Sequence, residues 1–432
     1  MAFIKAVRQL NMRFIFLPFL LLGTYYPIIG QQIDGEFARD GLFLFKELGM
    51  DSSQIVDYNL TKNGEVYALY ESDINRNLIR LLKNGHRDVT FNFTSDILNN
   101  EGTTPVAMSA TANGNLVVLS NLWNGFSWMI HINEFYETGE LNPNFGNGGI
   151  YTKSILDNTD DNFGQYLHTS PNGEIVVVAK VNDFSVSTSD EKIAILKLSE
   201  EGKTLSSDLY ANRCFKLDCS AMQDDYLLLA YSGTTENEID QATYLAGLTS
   251  EKMESQNVHC LSTDGDYETI DHIEVKKSAV YISQLKINAE ALYLVRKYDL
   301  DGNLDESFKD DGRIDSNADL YNSNFVVGEN GEVFVVSKSL DNDFEILIKK
   351  LNSDGNMDDT FGVDGIASLA LRYPITVLDK LQIDPKNLLY ISGDMSIEGS
   401  SYGFITRVKT DVLQLKKQKL DKFINNLFVT QE

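Results

Sequence analysis

Short runs of β-forming residues, apolar almost throughout, recur along the chain, and most follow an Asn-Gly or similar turn. Seven such runs can be identified, at residues 63–69, 113–119, 172–178, 225–229, 278–282, 330–336 and 387–391. Asn-Gly ahead of such a run predicts a hairpin, because both residues tolerate positive φ. Because the runs are continuous rather than alternating, we expect strands that are buried on both faces.

A second pattern alternates with these runs: a Gly, a Phe six positions later, and a second Gly four positions after the Phe. Its full copies are Gly139, Phe145 and Gly149; Gly302, Phe308 and Gly312; and Gly355, Phe361 and Gly365. Around Phe91 the second Gly is replaced by Ser95, and around Phe37 only the second half of the pattern is present. We expect structural roles for both residue types, Gly in turns of positive φ and Phe in the core between repeats.

The phenylalanines set the period of the repeat. Phe37 and Phe91 are 54 residues apart, as are Phe91 and Phe145, and Phe308 and Phe361 are 53 apart. The 163 residues between Phe145 and Phe308 hold three periods, with degraded copies near Gly202 and Gly265.

Third elements such as 78–81, 294–298 and 404–408 carry a basic residue, and no amphipathic helix interrupts the repeat. Seven units of about 54 residues predict an all-β, seven-bladed β-propeller with one four-stranded sheet per repeat. Because the chain enters the pattern in its middle, at 34–37, we expect the N- and C-terminal segments to share one blade and close the ring.

The motif Gly-x-Leu/Met-Asp-x-x-Phe-Gly-x-x-Gly followed by a turn and an apolar strand resembles the delta-60 repeat family of bacterial β-propellers. The copies at 302–312 and 355–365 match best, the copy at 139–149 is close, and units four and five depart most. The resemblance covers residues 33–411. It implies a propeller on an exported or surface protein, and it implies no particular reaction.

The segment before the repeat predicts export. Residues 1–30 combine three basic residues, no acidic residue and the apolar run 14–22, which is too short to span a bilayer. This composition is typical of a cleaved signal peptide, with Met12 as an alternative start, and a buried N-terminal strand is the alternative interpretation. We expect the propeller to occupy 31–411. The tail 412–432 has roughly helical apolar spacing, and it either packs on the ring or serves in docking or export.

The charge narrows the classes of partner. The chain carries a net charge of −26, which repels phosphate backbones and anionic lipid, so we expect no nucleic acid as partner. No later segment is long and apolar enough to cross a membrane, and we expect a monomer. The cysteines are Cys214, Cys219 and Cys260, of which Cys214 and Cys219 are the candidate disulfide pair if the chain is exported.

Two groups of side chains are candidates for ligand binding. Asp299, Asp301 and Asp305 present oxygens at alternate positions, as a calcium loop does, although a hairpin turn explains the same residues. Trp123 and Trp128 flank a short loop and could stack on a sugar or simply pack a blade edge. No other cofactor is indicated.

No catalytic constellation is visible, so the leading hypothesis is a non-enzymatic scaffold that binds an unidentified protein or glycan. The first alternative is a propeller enzyme of the polysaccharide lyase or glycoside hydrolase type, with carboxylates and a His or Tyr in the central channel. The second is a structural component of the cell envelope or an adhesion protein, which requires no deep polar pocket.

Overall fold

The computed structural model describes most of the predicted propeller. The described residues are 33–72, 75–155, 161–182, 191–234, 241–249, 252–262, 267–287, 291–309, 312–316 and 323–410. The predicted signal peptide 1–30 and the tail 412–432 lie outside these ranges. No helix in the described part of the chain is long and apolar enough to span a bilayer.

The described residues form 26 strands and two short 3-10 helices, Phe45–Leu48 and Ser95–Ile97. In chain order the strands are β1 Leu42–Leu44, β2 Gln54–Leu60, β3 Val66–Ser72, β4 Asn75–Leu81, β5 Thr103–Ala110, β6 Leu116–Trp123, β7 Trp128–Phe135, β8 Ile150–Lys153, β9 Asp161–Thr169, β10 Ile175–Asn182, β11 Glu191–Leu198, β12 Thr204–Gln223, β13 Tyr226–Thr234, β14 Gln241–Thr249, β15 Lys252–Ser262, β16 Tyr267–Lys276, β17 Ala279–Ile287, β18 Ala291–Asp299, β19 Arg313–Ser316, β20 Asn324–Val327, β21 Val333–Lys338, β22 Glu345–Leu351, β23 Ile366–Ala370, β24 Ile375–Ile383, β25 Leu388–Ile397 and β26 Ser400–Lys409.

These strands build six antiparallel sheets, one of which has seven strands and forms two blades, so the ring has seven blades and the predicted seven-bladed β-propeller is confirmed. Blade 1 is β2–β4, blade 2 is β5–β8, blade 5 is β16–β19 and blade 6 is β20–β23. Blade 1 has three named strands, and its fourth position is marked by the bridge between Leu81 and Arg87. The seven apolar runs of the sequence are the second strands of the seven blades.

Blades 3 and 4 share one long strand. The first half of β12 pairs with β11 as the outer strand of blade 3, and its second half pairs with β13 as the inner strand of blade 4. Blade 3 is therefore β9–β11 with the start of β12, and blade 4 is the end of β12 with β13–β15. No turn separates these two blades, so the sequence has no Gly-containing turn motif at this boundary.

The ring closes as expected from the ends of the repeat. Strand β1 pairs with β26 and completes blade 7, whose other strands are β25 and β24. The backbone N–H of Asp34 donates to the carbonyl of Arg407 at 2.8 Å, and Ile33 bridges Val408. The chain's first and last described strands thus lie side by side, and β1 becomes the outermost strand of blade 7 and covers the outer edge of β26.

The core lies between blades rather than within one layer. On β10, Ile175 and Val177 pack with residues of blade 2, whereas Val176 packs with residues of blade 4. All three are at most 3% exposed. Strands buried on both faces explain why the second-strand runs are continuously apolar.

The repeated glycines and phenylalanines join consecutive blades. A Cβ at Gly85 would lie 2.6 Å from the Phe37 ring, and one at Gly139 would lie 3.0 Å from Phe91. The same contact recurs between Gly202 and Phe145, and between Gly355 and Phe308. Phe37, Phe91, Phe145 and Phe308 are therefore each covered by the first Gly of the next copy. This contact requires one Gly and one Phe per repeat, which agrees with the predicted structural role.

A basic side chain holds four of the motif phenylalanines and their loops in place. The cation lies over the Phe ring and pairs with the Asp three positions before that Phe. The sets of basic residue, Asp and Phe are Arg80, Asp88 and Phe91; Lys297, Asp305 and Phe308; Lys350, Asp358 and Phe361; and Arg407, Asp34 and Phe37. We call this arrangement the motif clasp. In blade 2 the basic residue is replaced by Glu134 and the Asp by Asn142, whose amide donates to Glu134 at 3.1 Å. The fourth clasp spans the two ends of the chain.

Candidate functional site: the central channel

The innermost strands of the seven blades surround a central cavity of about 770 Å³. Lining residues come from β2, β5, β9, the end of β12, β16, β20 and β24, so every blade contributes. The strands run in the same direction around the cavity, because each leads into its own hairpin at the same face of the ring. Equivalent positions in different blades therefore face one another across the channel.

Bulges in the inner strands bring side chains to one level of this channel. At this level the residues that the pairing with the second strand skips are Val56, Val106, Gln165, Asp218, Asp271 and the pair Asp379 with Lys380. Six blades thus carry an irregularity at the same place. A β-bulge re-aims the side chains around it, and bulges are enriched next to functional sites. We call this level the bulge ring.

Hydrogen bonds between neighbouring inner strands link the blades along the channel wall. Their pairs are Asp57 with Met108 N, Ser109 with Thr169, His168 with Ser220, Glu274 with Val327 N, Asn324 with the Asp379 carbonyl, and Gln382 with Leu60 N. Their lengths run from 2.7 to 3.1 Å. Six of the seven blade junctions are therefore linked at the wall of the channel, so the wall is built as a rigid frame.

An ion pair crosses from blade 7 to blade 1 inside the channel. Lys380 Nζ lies 2.7 Å from Asp57 Oδ1 and 3.0 Å from the carbonyl of Tyr58. The other oxygen of Asp57 accepts the N–H of Met108 at 2.8 Å. Asp57 is 11% exposed and Lys380 is 37% exposed, so the ammonium still reaches the cavity.

Two histidines line the channel in a neutral state. Burial and the positive charge of Lys380 lower the pKa of both His168 and His272 to about 4. The Nε2 of His168 lies 2.8 Å from Ser220 Oγ, and the His272 ring meets Phe325 edge to face. Their imidazoles can therefore donate or accept hydrogen bonds at neutral pH without carrying charge. Elsewhere, His86 is exposed and His131 is buried in blade 2.

Three acidic groups in or beside the channel have perturbed proton affinities. Burial raises the pKa of Glu274 to about 8, and partial desolvation at the channel wall raises the pKa of Asp379, although part of its side chain is exposed to the cavity. Burial together with the charge of Asp379 raises the pKa of Asp394 to about 7. Asp394 Oδ1 is buried without a hydrogen-bond partner in the described structure. Asp394 lies two residues beyond Ser392, which lines the channel, so both project from the same face of β25.

The carboxylates predicted as a calcium loop are engaged by the protein itself. Asp299 accepts hydrogen bonds from the backbone N–H and the side-chain amide of Asn303 at 2.8 and 2.9 Å. Asp305 pairs with Lys297 at 2.9 Å as part of a motif clasp. Among the described residues no group of three or more His, Cys, Asp or Glu side chains is arranged for a metal. Calcium binding at Asp299, Asp301 and Asp305 stays a prediction, and the hairpin alternative accounts for the contacts of Asp299 and Asp305.

The predicted tryptophan pair is brought together. Trp123 and Trp128 face each other across the β6–β7 hairpin with ring centroids 5.6 Å apart. The Trp128 ring is in turn 5.7 Å from Phe163 on β9. Trp123 is 41% exposed and Phe126, at the hairpin tip, is 88% exposed. A role in ligand binding is compatible with this exposure, and it stays a prediction.

The candidate disulfide is not present. Cys214 and Cys219 both lie on β12, and Cys219 is a free, buried thiol. Five residues along an extended strand separate Cα atoms by about 16 Å, far beyond the roughly 7 Å that a disulfide spans. The sequence spacing suggested a turn or a pair of strands, whereas the chain runs straight from blade 3 into blade 4. The side chain of Cys214 is outside the described part.

Comparisons with solved structures show the same fold at very low identity. The polysaccharide lyase Uly1 is similar with a TM-score of 0.51 and 9% identity, over 82% of this chain and 89% of that one. Prolyl oligopeptidase B from Galerina marginata is similar with a TM-score of 0.50 and 12% identity, over 80% of this chain. The chain spans about half the length of that protein, namely 47%. The β-propeller domain of the Trilobed protease from Pyrococcus furiosus has a TM-score of 0.43 and 10% identity, over 71% of this chain and 81% of that one.

A scan of protein families finds no match, and a search of curated proteins also finds none. The class that fold and comparisons define is therefore the β-propeller, with a polar central channel. At such identities the likeness concerns the fold alone.

No sequence pattern singles out the polar residues in and beside the channel. Asp57, Lys380, Asp379 and Asp394 belong to no repeated motif. One signal was present: inner strands carry a polar residue shortly before their turn, as in Ser109, His168, Glu274 and Gln382. These residues link neighbouring blades.

Proposed function

We propose that this protein is an exported, monomeric β-propeller scaffold that binds a polar ligand in its central channel. The observation that carries the proposal is the bulge ring, which gathers different polar side chains from several blades around one cavity of about 770 Å³. A volume of this size suits a small molecule or a few sugar units. Export is supported by the composition of residues 1–30.

The chemistry of the wall favours a ligand with many hydrogen-bonding groups. Lys380 supplies a partly exposed ammonium, and His168 and His272 supply neutral imidazoles. Asp379 adds a carboxyl group exposed in the channel. These polar side chains are not a feature of the repeat itself, because the equivalent bulge positions of blades 1 and 2 hold Val56 and Val106. Differences between blades at an equivalent position are what recognition of an asymmetric ligand requires.

The test is a binding screen on purified residues 31–432. Neutral and charged oligosaccharides, amino acids and divalent cations are added one at a time, and thermal unfolding is followed. A ligand that binds only the folded protein stabilises it by RT ln(1 + L/Kd), where L is the free ligand concentration, so the unfolding temperature rises with the logarithm of the ligand concentration once that exceeds Kd. The variant Lys380→Ala should lose this stabilisation, and the surface variant Val89→Ala should keep it. If no compound stabilises the protein, the structural envelope or adhesion role takes the place of ligand binding.

A glycoside hydrolase is the second candidate, and Asp394 is the observation that favours it. With a pKa of about 7, the carboxyl group of Asp394 is half protonated near neutral pH. Burial and the negative charge of Asp379 both raise this pKa. Glycoside hydrolysis needs one carboxylic acid to protonate the leaving oxygen and one carboxylate to assist water or attack the sugar. Both groups belong to blade 7, on β24 and β25.

Release of reducing ends from neutral oligosaccharides would test this candidate. Asp394→Asn and Asp379→Asn should each abolish release while leaving the unfolding temperature within a few degrees of the unmodified protein. Release that persists in both variants, or no release from any substrate, removes the hydrolase candidate. Formation of a new double bond in a uronate product would instead indicate a lyase.

A further inference from the structure

Four aromatic side chains lie on the β6–β7 hairpin and the start of β9, and three of them are in ring contact. The row consists of Phe126, Trp123, Trp128 and Phe163. Neighbouring rings Trp123, Trp128 and Phe163 have centroids 5.6 and 5.7 Å apart, and Phe126 projects from the tip of the same hairpin. Phe163 is two residues ahead of Gln165, which lines the channel. The row therefore extends from the tip of a hairpin to β9, the inner strand of blade 3, which lines the central cavity from Gln165 onward.

The hairpin that carries the row is held rigidly. Asn124 Oδ1 accepts the backbone N–H groups of Phe126 and Ser127, both at 2.9 Å, which fixes the turn. At its base, the backbone N–H of Trp128 donates to Asp161 Oδ1 at 2.9 Å and connects the hairpin to the start of β9. The backbone N–H of Trp123 donates to the carbonyl of Gly102 at 2.9 Å. Exposed rings on a rigid support bind with little loss of conformational entropy.

Core packing does not account for the outer half of the row. Phe126 is 88% exposed and Trp123 is 41% exposed, so neither ring is withdrawn from water by the fold. Single exposed apolar side chains are common, but aromatic side chains in line, leading to a polar cavity, form a directed surface.

We propose that this row stacks on the sugar rings of a neutral oligosaccharide whose end enters the central channel. This names the ligand class of the proposed binding function and rests on it. A ligand that touches both regions needs flat apolar faces for the rings and hydroxyl groups for Lys380, His168 and Asp379, and sugar rings offer both. The net charge of −26 opposes an anionic polysaccharide or an anionic membrane.

Tryptophan fluorescence reports on this site alone. The chain has two tryptophans, and both belong to the row. Titration of the full chain with cello-, xylo-, manno- and chito-oligosaccharides should change the emission in a saturable way for at least one series. Alginate oligosaccharides and anionic lipid vesicles are the comparisons, and they should leave the emission unchanged.

Phe126→Ala is the decisive variant, because an 88% exposed ring adds little to folding. It should weaken binding about 2- to 12-fold, which corresponds to about 0.5–1.5 kcal/mol for one aromatic contact. The matched control Val89→Ala removes an equally exposed side chain, at 89%, from the motif loop of blade 1 and should bind normally. Unchanged emission with every neutral series, or full affinity in Phe126→Ala, overturns the proposal, as does a response to vesicles alone.

A second readout separates this proposal from the channel function. If a ligand stabilises the protein, loses its effect in Lys380→Ala and leaves the tryptophan emission unchanged, the channel binds without the aromatic row and the present inference fails. If emission changes and Phe126→Ala weakens binding while Lys380→Ala does not, the row binds sugar and the channel proposal fails.

Discussion

The motif clasp and the bulge ring occupy opposite ends of the same repeat and differ in what the repeat preserves. In the clasp, the same residue types perform the same task in several blades, as in Lys297 with Asp305 and Lys350 with Asp358. In the bulge ring the backbone irregularity is preserved, but the side chains range from Val106 to Asp379. Repetition of a residue therefore marks a structural requirement. Repetition of a backbone feature with changing side chains marks a position that is free to serve recognition.

Breaking the clasp that closes the ring should have the largest effect. Asp34 and Arg407 are 1% and 6% exposed, and Arg407 Nε donates to Asp34 at 2.8 Å. Burial alone would raise the pKa of Asp34, but hydrogen bonds from Lys409 and Arg407 outweigh it and lower that pKa. Arg407→Ala leaves the carboxylate with one cation, and we expect a loss of about 3–5 kcal/mol in urea denaturation. Lys409→Ala, at a 33% exposed site, should cost much less; equal losses would contradict the dominant role of Arg407.

The Gly–Phe contact between blades should come next. Gly85 has a φ of +76°, and a Cβ there would lie 2.6 Å from Phe37. Gly85→Ala should therefore combine backbone strain with overpacking and cost about 2–4 kcal/mol. Gly49→Ala is the control, because its φ is +82° and nothing lies within 4 Å of its added Cβ. Similar losses in the two variants would show that the contact with Phe37 is unimportant.

Blade 2 offers a charge exchange that tests the clasp directly. Glu134 and Asn142 are 1% and 8% exposed, and burial raises the pKa of Glu134. Asn142→Asp places a second carboxyl group beside it and should cost about 1–3 kcal/mol. Adding Glu134→Lys restores the Lys–Asp pairing of blades 5 and 6. A double-mutant cycle by urea denaturation should give favourable coupling, and additive losses would mean that the clasp does not transfer between blades.

At the channel wall we expect a smaller, pH-dependent effect. The pKa of Glu274 is raised to about 8 from 4.5, so its stabilising contribution is complete below pH 4.5 and is lost as pH rises through 8. Glu274→Gln keeps an acceptor for Val327 N–H and should flatten the fall in unfolding temperature between pH 5 and pH 9. His168 and His272 act oppositely: with pKa values of about 4 against 6.5, they remove stability as pH falls from 6.5 to 4. If the unfolding temperature of Glu274→Gln still falls between pH 5 and pH 9, another group causes the pH dependence of stability.

The smallest stability effect is expected at the bulge ring itself. Asp379 is exposed in the channel, so Asp379→Asn should change the free energy of unfolding by less than about 0.5 kcal/mol in urea denaturation. The same variant should alter ligand binding in the thermal screen. A large loss of stability would move Asp379 from recognition to structure and would weaken the comparison of the two regions.

The features that sequence could predict are those that repeat. The second strands were visible because residues such as Val176 and Val177 face different blades and must both be apolar. The motif Gly and Phe were visible because the same contact recurs at four blade junctions. The bulges were not visible, since a bulge depends on the register between two strands and not on residue type. The channel pair Asp57 and Lys380 joins the first and last blades, and no local pattern relates such residues.

Ring closure by β1 also bears on how the protein folds. Thr406 donates to the carbonyl of Gly41 across 365 positions of sequence, among the most non-local contacts described. During synthesis β1 is made before all the blades and has no partner until β26 emerges. The edge of β26 is likewise open until β1 arrives, and such edges recruit other chains. Folding should therefore end in one slow, late docking step, whose rate Arg407→Ala would reduce if the clasp forms before β1 docks.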